Sequence, residues 1–125
     1  MEYNMVGWFE IPVSDMERAK TFYEKVFGIT ISVHDLGELQ MGWFPSAPDK
    51  KGASGSLVKH GMYTPSATDG PLIYFTCPDL SVELGRVIEA QGEILQPKTE
   101  IGGGHGFMAL VKDTEGNRIA LHSRQ

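Results

Sequence analysis

At 125 residues, with 22% charged and 41% hydrophobic side chains, the chain has the size and composition of one globular domain able to bury a core without disulfides or structural metal, which excludes disordered and fibrous classes. A formal net charge of -5, with eleven Lys and Arg scattered along the sequence, supplies no basic stripe for a phosphate backbone, so nucleic acid is not expected as a partner. The start MEYNMVGWFE has no basic segment leading into an apolar run, no stretch of about eighteen apolar residues occurs, and Cys77 has no second cysteine to pair with; a cytoplasmic chain that does not enter membranes is expected.

Val6 to Val13 reads as a strand. From Ser14 onward, Met16, Ala19, Phe22, Tyr23, Val26 and Phe27 recur at three- and four-residue steps, which predicts an amphipathic helix. Ser14 and Glu17 suggest a capping box at its start, and Gly28 suits its end. Ile29 to Asp35, Glu38 to Phe44 and Ser54 to Lys59 read as three further strands, the last two divided by the turn-rich PSAPDKKG. The order βαβββ then recurs. A constant offset of 64 takes Asp15 to Asp79, Gly28 to Gly92, Asp49 to Asp113, Gly52 to Gly116 and Leu57 to Leu121, so helix starts, helix ends and turns align together. Leu80, Leu84, Val87 and Ile88 form the stripe of the second helix, which Gly92 ends. The expected fold is α+β: one domain over residues 1–125, with two tandem βαβββ modules (about 5–60 and 70–125) forming a curved mixed sheet around a cavity, helices on its outer face. Residues 60 to 70 are the linker.

Alternation along the strands separates two faces. Phe9, Ile11, Val13, Ile73, Phe75, Cys77, Ile119 and Leu121 form an apolar set for the helices to cover, with Cys77 a small strand residue rather than a nucleophile. Trp8, Glu10, Pro12, Ser54, Ser56, Val58, Leu72, Tyr74, Thr76, Arg118, Ala120 and His122 form the other. A concave face with Trp, Tyr, Glu, Arg and His suits a small, partly apolar organic ligand; the plainer readings are a wetted sheet face, a subunit contact, and a Glu10–Arg118 salt bridge. Met41 or Trp43 in MGWFP is a candidate wall. EIGGGHGFMAL runs on into a strand and has no G-K-[ST], so it reads as a loop that brings His105 to the cavity mouth rather than as a phosphate loop. His34 and His60 sit in polar, turn-like stretches and are expected to be exposed.

The stretches VSDMERAKTFYEKVFG and DTEGNRIAL, on paired βαβββ units, resemble the vicinal oxygen chelate superfamily, which includes glyoxalase I, extradiol dioxygenases, and fosfomycin and bleomycin resistance proteins. The resemblance implies metal-ligand positions that fall here on Trp8, Ser56, Leu72 and Ala120, where imidazole or carboxylate would be needed. Glu10, Val58, Tyr74 and His122 stand two residues further along the same strands. Among these, Glu10 and His122, with His105 from the loop, are the only material for a displaced divalent metal site, and Glu10, Tyr74 and His122 are candidate acid, base and oxyanion-orienting groups. The preferred expectation is metal-free binding of a small organic molecule, without a cofactor, by a homodimer, through Trp8, Glu10, Trp43, Ser56, Tyr74, His105, Arg118 and His122. Alternatives are an enzyme of lyase, isomerase or dioxygenase type and a protein-interaction module.

Overall fold

The computed structural model describes residues 3–125. Strand β1 (Phe9–Pro12) leads into helix α1 (Met16–Phe27), followed by β2 (Ser32–Asp35), β3 (Gln40–Trp43) and β4 (Gly55–Lys59). The second module has β5 (Ile73–Thr76), the short helix α2 (Leu80–Leu84), β6 (Glu93–Glu100), β7 (Phe107–Lys112) and β8 (Arg118–Ser123). The strands form two four-stranded mixed sheets, in the orders β1-β4-β3-β2 and β5-β8-β7-β6, with β1 parallel to β4 and β5 parallel to β8. Together they make the open curved sheet expected of tandem βαβββ units. No helix among the described residues is long and apolar enough to cross a membrane.

The apolar set meets the helices as alternation requires. Ile11, Val13, Cys77, Ile119 and Leu121 are buried with Ala19, Phe22, Tyr23 and Val26 of α1 and with Leu80 and Val87, in one cluster that draws on both modules. Each large side chain withdrawn from water there contributes about 1.5–3 kcal/mol. Helix α1 packs on β3, β4 and α2, and α2 on β6, β7 and β8.

The helix ends differ from the expected caps. Asp15, not Ser14, is the N-cap of α1: its carboxylate accepts the Arg18 amide at 3.0 Å. The amides of Ser14 and Asp15 donate instead to Glu115 Oε1 at 2.9 and 2.8 Å, and Arg18 Nε reaches Glu115 Oε2 at 2.7 Å. A turn of the second module thus caps the helix of the first, which satisfies amides that every helix start leaves free. Gly28, in the left-handed region at φ 64°, ends α1 as expected. The second helix is shorter than its pattern suggests. Regular helix stops at Leu84, turns carry the chain to Gln91, and Ile88 is exposed rather than part of the buried stripe. Gln91 takes the left-handed conformation (φ 72°) assigned by pattern to Gly92. Gly92 is needed for another reason: a Cβ there would lie 2.5 Å from the Phe22 ring and 2.9 Å from the Lys112 carbonyl oxygen.

Candidate functional site

On the first sheet the face away from the helices is built in rows. Pairing of Glu10 with Ser56, of Ser56 with Trp43, and of Trp43 with Ser32 sets these residues side by side across β1, β4, β3 and β2. Trp8 meets Trp43 edge-on at 6.4 Å between ring centroids, and the His34 imidazole stacks on the Trp43 indole at 4.1 Å. His34 is therefore half-buried in the aromatic group rather than an exposed turn residue. Ser56 has no exposed surface, and its hydroxyl donates to the Leu57 carbonyl at 2.6 Å, so it is floor rather than contact.

Glu10 does not pair with Arg118. Its carboxylate accepts the Tyr63 hydroxyl at 2.8 Å, a hydrogen bond that holds the Tyr63 phenol above its ordinary pKa. Glu10 and Arg118 do share a 220 Å³ crevice with Pro12, Ile73 and Ile119, yet among the described residues the Arg118 guanidinium has no carboxylate partner. Tyr63 lies in the linker, where no period marks a face; His34 was expected to be exposed, although Ile29, Ile31 and Val33 alternate with Thr30, Ser32 and His34, a signal that could have placed it on the polar face of its strand.

On the second sheet, Tyr74 lies opposite Ala120, and Thr76 opposite His122, which in turn faces Met108. Tyr74 and His122 are thus diagonal neighbours on one face. A ring nitrogen of His122 is 2.8 Å from the His105 carbonyl oxygen. The contact ties the loop to β8, while the His105 side chain is exposed. His60, in the linker, is half-buried, with Nδ1 accepting the Met62 amide at 3.1 Å. The trio Glu10, Tyr74 and His122 is divided between the two sheets, with Glu10 engaged by Tyr63 and His122 by the loop.

Cys77 is a buried free thiol. Burial, with the nearby Glu83 carboxylate, pushes its thiol up to about 12, so it is protonated at neutral pH. Native protein at pH 8 is expected to leave Ellman's reagent unreacted over an hour, with one thiol titrating after denaturation; labelling of the folded chain within minutes would contradict the burial described.

A family profile described as Glyoxalase/Bleomycin resistance protein/Dioxygenase superfamily matches residues 5–121. The chain belongs to this superfamily. Among solved structures, glyoxalase I from Zea mays is 20% identical with a TM-score of 0.70, and the alignment covers 94% of this chain and 45% of that one, so this chain spans less than half of the maize protein. TnmS3, an antibiotic binding protein from Streptomyces sp. CB03234, is 25% identical with a TM-score of 0.68, covering 98% of each chain. A glyoxalase/bleomycin resistance protein from the same organism is 23% identical, with a TM-score of 0.69 over 94% of this chain and 98% of that one. A comparison with curated protein sequences finds no match.

The superfamily's metal-dependent members set a test of donor chemistry. Its four strand positions hold an indole, a hydroxyl, an isobutyl and a methyl group here, at Trp8, Ser56, Leu72 and Ala120; Ser56 and Ala120 are fully buried. These groups do not fit a catalytic divalent ion, which takes about three nitrogen or carboxylate ligands. Among the described residues no group of three or more His, Cys, Asp and Glu side chains is placed to hold a metal elsewhere.

Proposed function

We propose that this superfamily member binds a small, partly aromatic organic molecule on the concave faces of its sheets and works by sequestration, without a metal or other cofactor. One observation carries the reading: Trp8, Trp43 and Tyr74 stand 47%, 43% and 51% exposed on faces that also carry Glu10, Arg118 and His122. Holding large aromatic surfaces in water is unfavourable unless something stacks on them. The structural likeness to an antibiotic binding protein of the same length supports it. The working unit is a homodimer in which the first sheet of one copy faces the second sheet of its partner. The position of β1 and β5 at sheet edges, where another strand can be met, supports this arrangement. Arg118 and His122 then supply polar contacts across from the tryptophans.

The test combines metal analysis with ligand binding. Protein purified without a tag or chelator is expected to hold no stoichiometric metal and to run on gel filtration at twice 13.8 kDa. An ion present at a hundred times its Kd would add about 2.7 kcal/mol, raising the melting temperature of a domain this size by about 10 °C; zinc, nickel, manganese and iron(II) are each expected to give no such rise. A screen of aromatic antibiotics, read by indole quenching, should yield ligands whose binding Trp43→Ala or Tyr74→Ala weakens about tenfold or more, the loss of a stacked contact of about 1.4 kcal/mol. Stoichiometric metal would overturn the reading. So would a turnover abolished by Glu10→Gln or His122→Ala at unchanged melting temperature.

A further inference from the structure

A further concavity lies away from the faces just described. It is a groove of 470 Å³ beneath the first sheet, floored by Phe9, Phe27, Phe44 and Phe75 and bordered by the loop that carries Lys50 and Lys51. The floor follows from strand parity, since Phe9 and Phe75 point opposite to Glu10 and Tyr74. The four rings form a connected set that joins the modules, with centroids 5.4 Å apart for Phe9 and Phe44, 5.9 Å for Phe9 and Phe75, 5.7 Å for Phe44 and Phe75, and 4.7 Å for Phe27 and Phe75. All four are only partly buried, so each keeps aromatic surface toward the groove.

In a chain of net charge -5, two adjacent ammonium groups border the mouth, and neither forms an ion pair among the described residues. Asp49, their neighbour in sequence, does not line the groove. The volume falls in the range of about 300–1,000 Å³ that suits a small organic ligand. An apolar floor accepts a ring or alkyl segment, and unpaired lysines at the edge attract an anion.

We propose that this groove is a second binding site, separate from the concave faces, for an amphipathic organic anion: one aromatic or alkyl body carrying a single carboxylate or sulfonate. The body lies on the phenylalanine floor, and the anionic group meets Lys50 and Lys51. Trp8 borders both sites, since it lines the groove and also meets Trp43; Trp43 and Tyr74 do not line the groove, and their variants separate the two.

The test uses two probes of one shape, the aryl sulfonate 1-anilinonaphthalene-8-sulfonate and its uncharged counterpart N-phenyl-1-naphthylamine, titrated into the full chain and followed by probe emission. The sulfonate should bind saturably at one site per chain. Lys50→Gln with Lys51→Gln should weaken it about tenfold while leaving the neutral probe within about twofold. Ala53→Trp, which fills the groove wall, should weaken both, and Trp43→Ala and Tyr74→Ala should change neither. Variants are compared only where they melt cooperatively; if Ala53→Trp does not, the exposed lysines still decide the matter. Unchanged sulfonate affinity in the double lysine variant would overturn the proposal. So would loss of probe binding in Trp43→Ala or Tyr74→Ala, which would place the probe on the concave face. Absence of binding at millimolar probe would overturn it as well, and a dimeric mass in that case would assign the groove to contact with a second copy.

Discussion

Asp113→Ala is expected to lower the stability of the chain at pH 7 by about 4 kcal/mol, an effect of the size reserved for broken buried polar networks. The Asp113 carboxylate is buried in the turn before β8 and accepts four hydrogen bonds: from the Tyr23 hydroxyl at 2.6 Å, the Asn117 side-chain amide at 3.1 Å, and the backbone amides of Glu115 and Asn117 at 2.8 Å each. Tyr23 comes from α1 and is fully buried. Removing the carboxylate strands that hydroxyl and loosens a turn whose next residues cap α1.

The pH dependence carries a second signature. Burial raises the Asp113 pKa, and the hydrogen bonds from Tyr23 and Asn117 reverse only part of the rise. The folded chain therefore holds that proton more tightly than the unfolded one. This contribution to stability is full below the unfolded pKa and fades as pH rises through the folded value. Glu115 has the opposite sign. Burial pushes it up, but Arg18 and the amides of Asp15 and Ser14 outweigh burial and hold it below the usual carboxylate range, so its contribution is present above the unfolded pKa and lost as pH falls through the folded one. In the wild type the two oppose each other in the acid range. Without Asp113 the acid loss from Glu115, joined by those of Glu24 and Asp79, whose pKa values the Ile31 amide and the Ser81 amide also lower, goes unopposed by it, so urea unfolding at pH 7, 5 and 3.5 should show a steeper acid decline in the variant. A variant within about 1 kcal/mol of wild type at pH 7 would contradict the network.

How far such a network can be foreseen from sequence is clear from its own residues. The offset of 64 relates Asp113 to Asp49, yet Asp49 is exposed in a surface turn while Asp113 is buried against Tyr23. Repetition predicts equivalent backbone, not equivalent burial, because the helix of one module packs across the other and there is no third module to repeat the contact. The backbone equivalence itself is close. Phe9 pairs with Gly55 and Ile73 with Ile119, both pairs related by the offset. It fails at the hairpins. Gln40 pairs with Lys59, but Phe107 pairs with Ser123, so the third strand of the second module is shifted by three residues against its counterpart. The longer β6, with its bulges around Gln96 and the glycine-rich loop before β7, absorbs the difference.

The site shows the same division. Alternation assigned Trp8, Glu10, Tyr74, Arg118 and His122 to one face, because period two is a local property, while Trp43 was marked only as a candidate wall. It could not place Tyr63 on Glu10, a contact that spans 53 residues, nor assign His34 to the Trp43 ring. The groove under the first sheet was invisible for a related reason. Phe9, Phe44 and Phe75 carry the pattern of core residues, and only the course of the Pro45–Ser54 loop leaves their edges open.

Gly55→Ala is expected to cost about 3 kcal/mol, which is large for the addition of one methyl group. Gly55 faces Phe9 across the parallel pair of β1 and β4. A Cβ there would fall against the backbone oxygen of Phe9 and lie 2.6 Å from its Cγ and 2.7 Å from its Cδ1. A flexible side-chain tip could yield, but a strand carbonyl cannot turn away without surrendering its place in the ladder, so β1 must move as a unit. Gly7→Ala, two residues upstream of Phe9 with nothing within 4 Å of its added carbon, is the matched control and should stay within about 0.5 kcal/mol of wild type. Urea unfolding of both variants tests the pair, and equal stability would mean that β1 and β4 do not approach as closely as described. Because β1 carries Glu10 on one face and Phe9 on the other, the displacement reaches both proposed sites at once. Gly55→Ala should therefore weaken a concave-face ligand and the groove probe together, whereas Trp43→Ala and the lysine pair each affect only one.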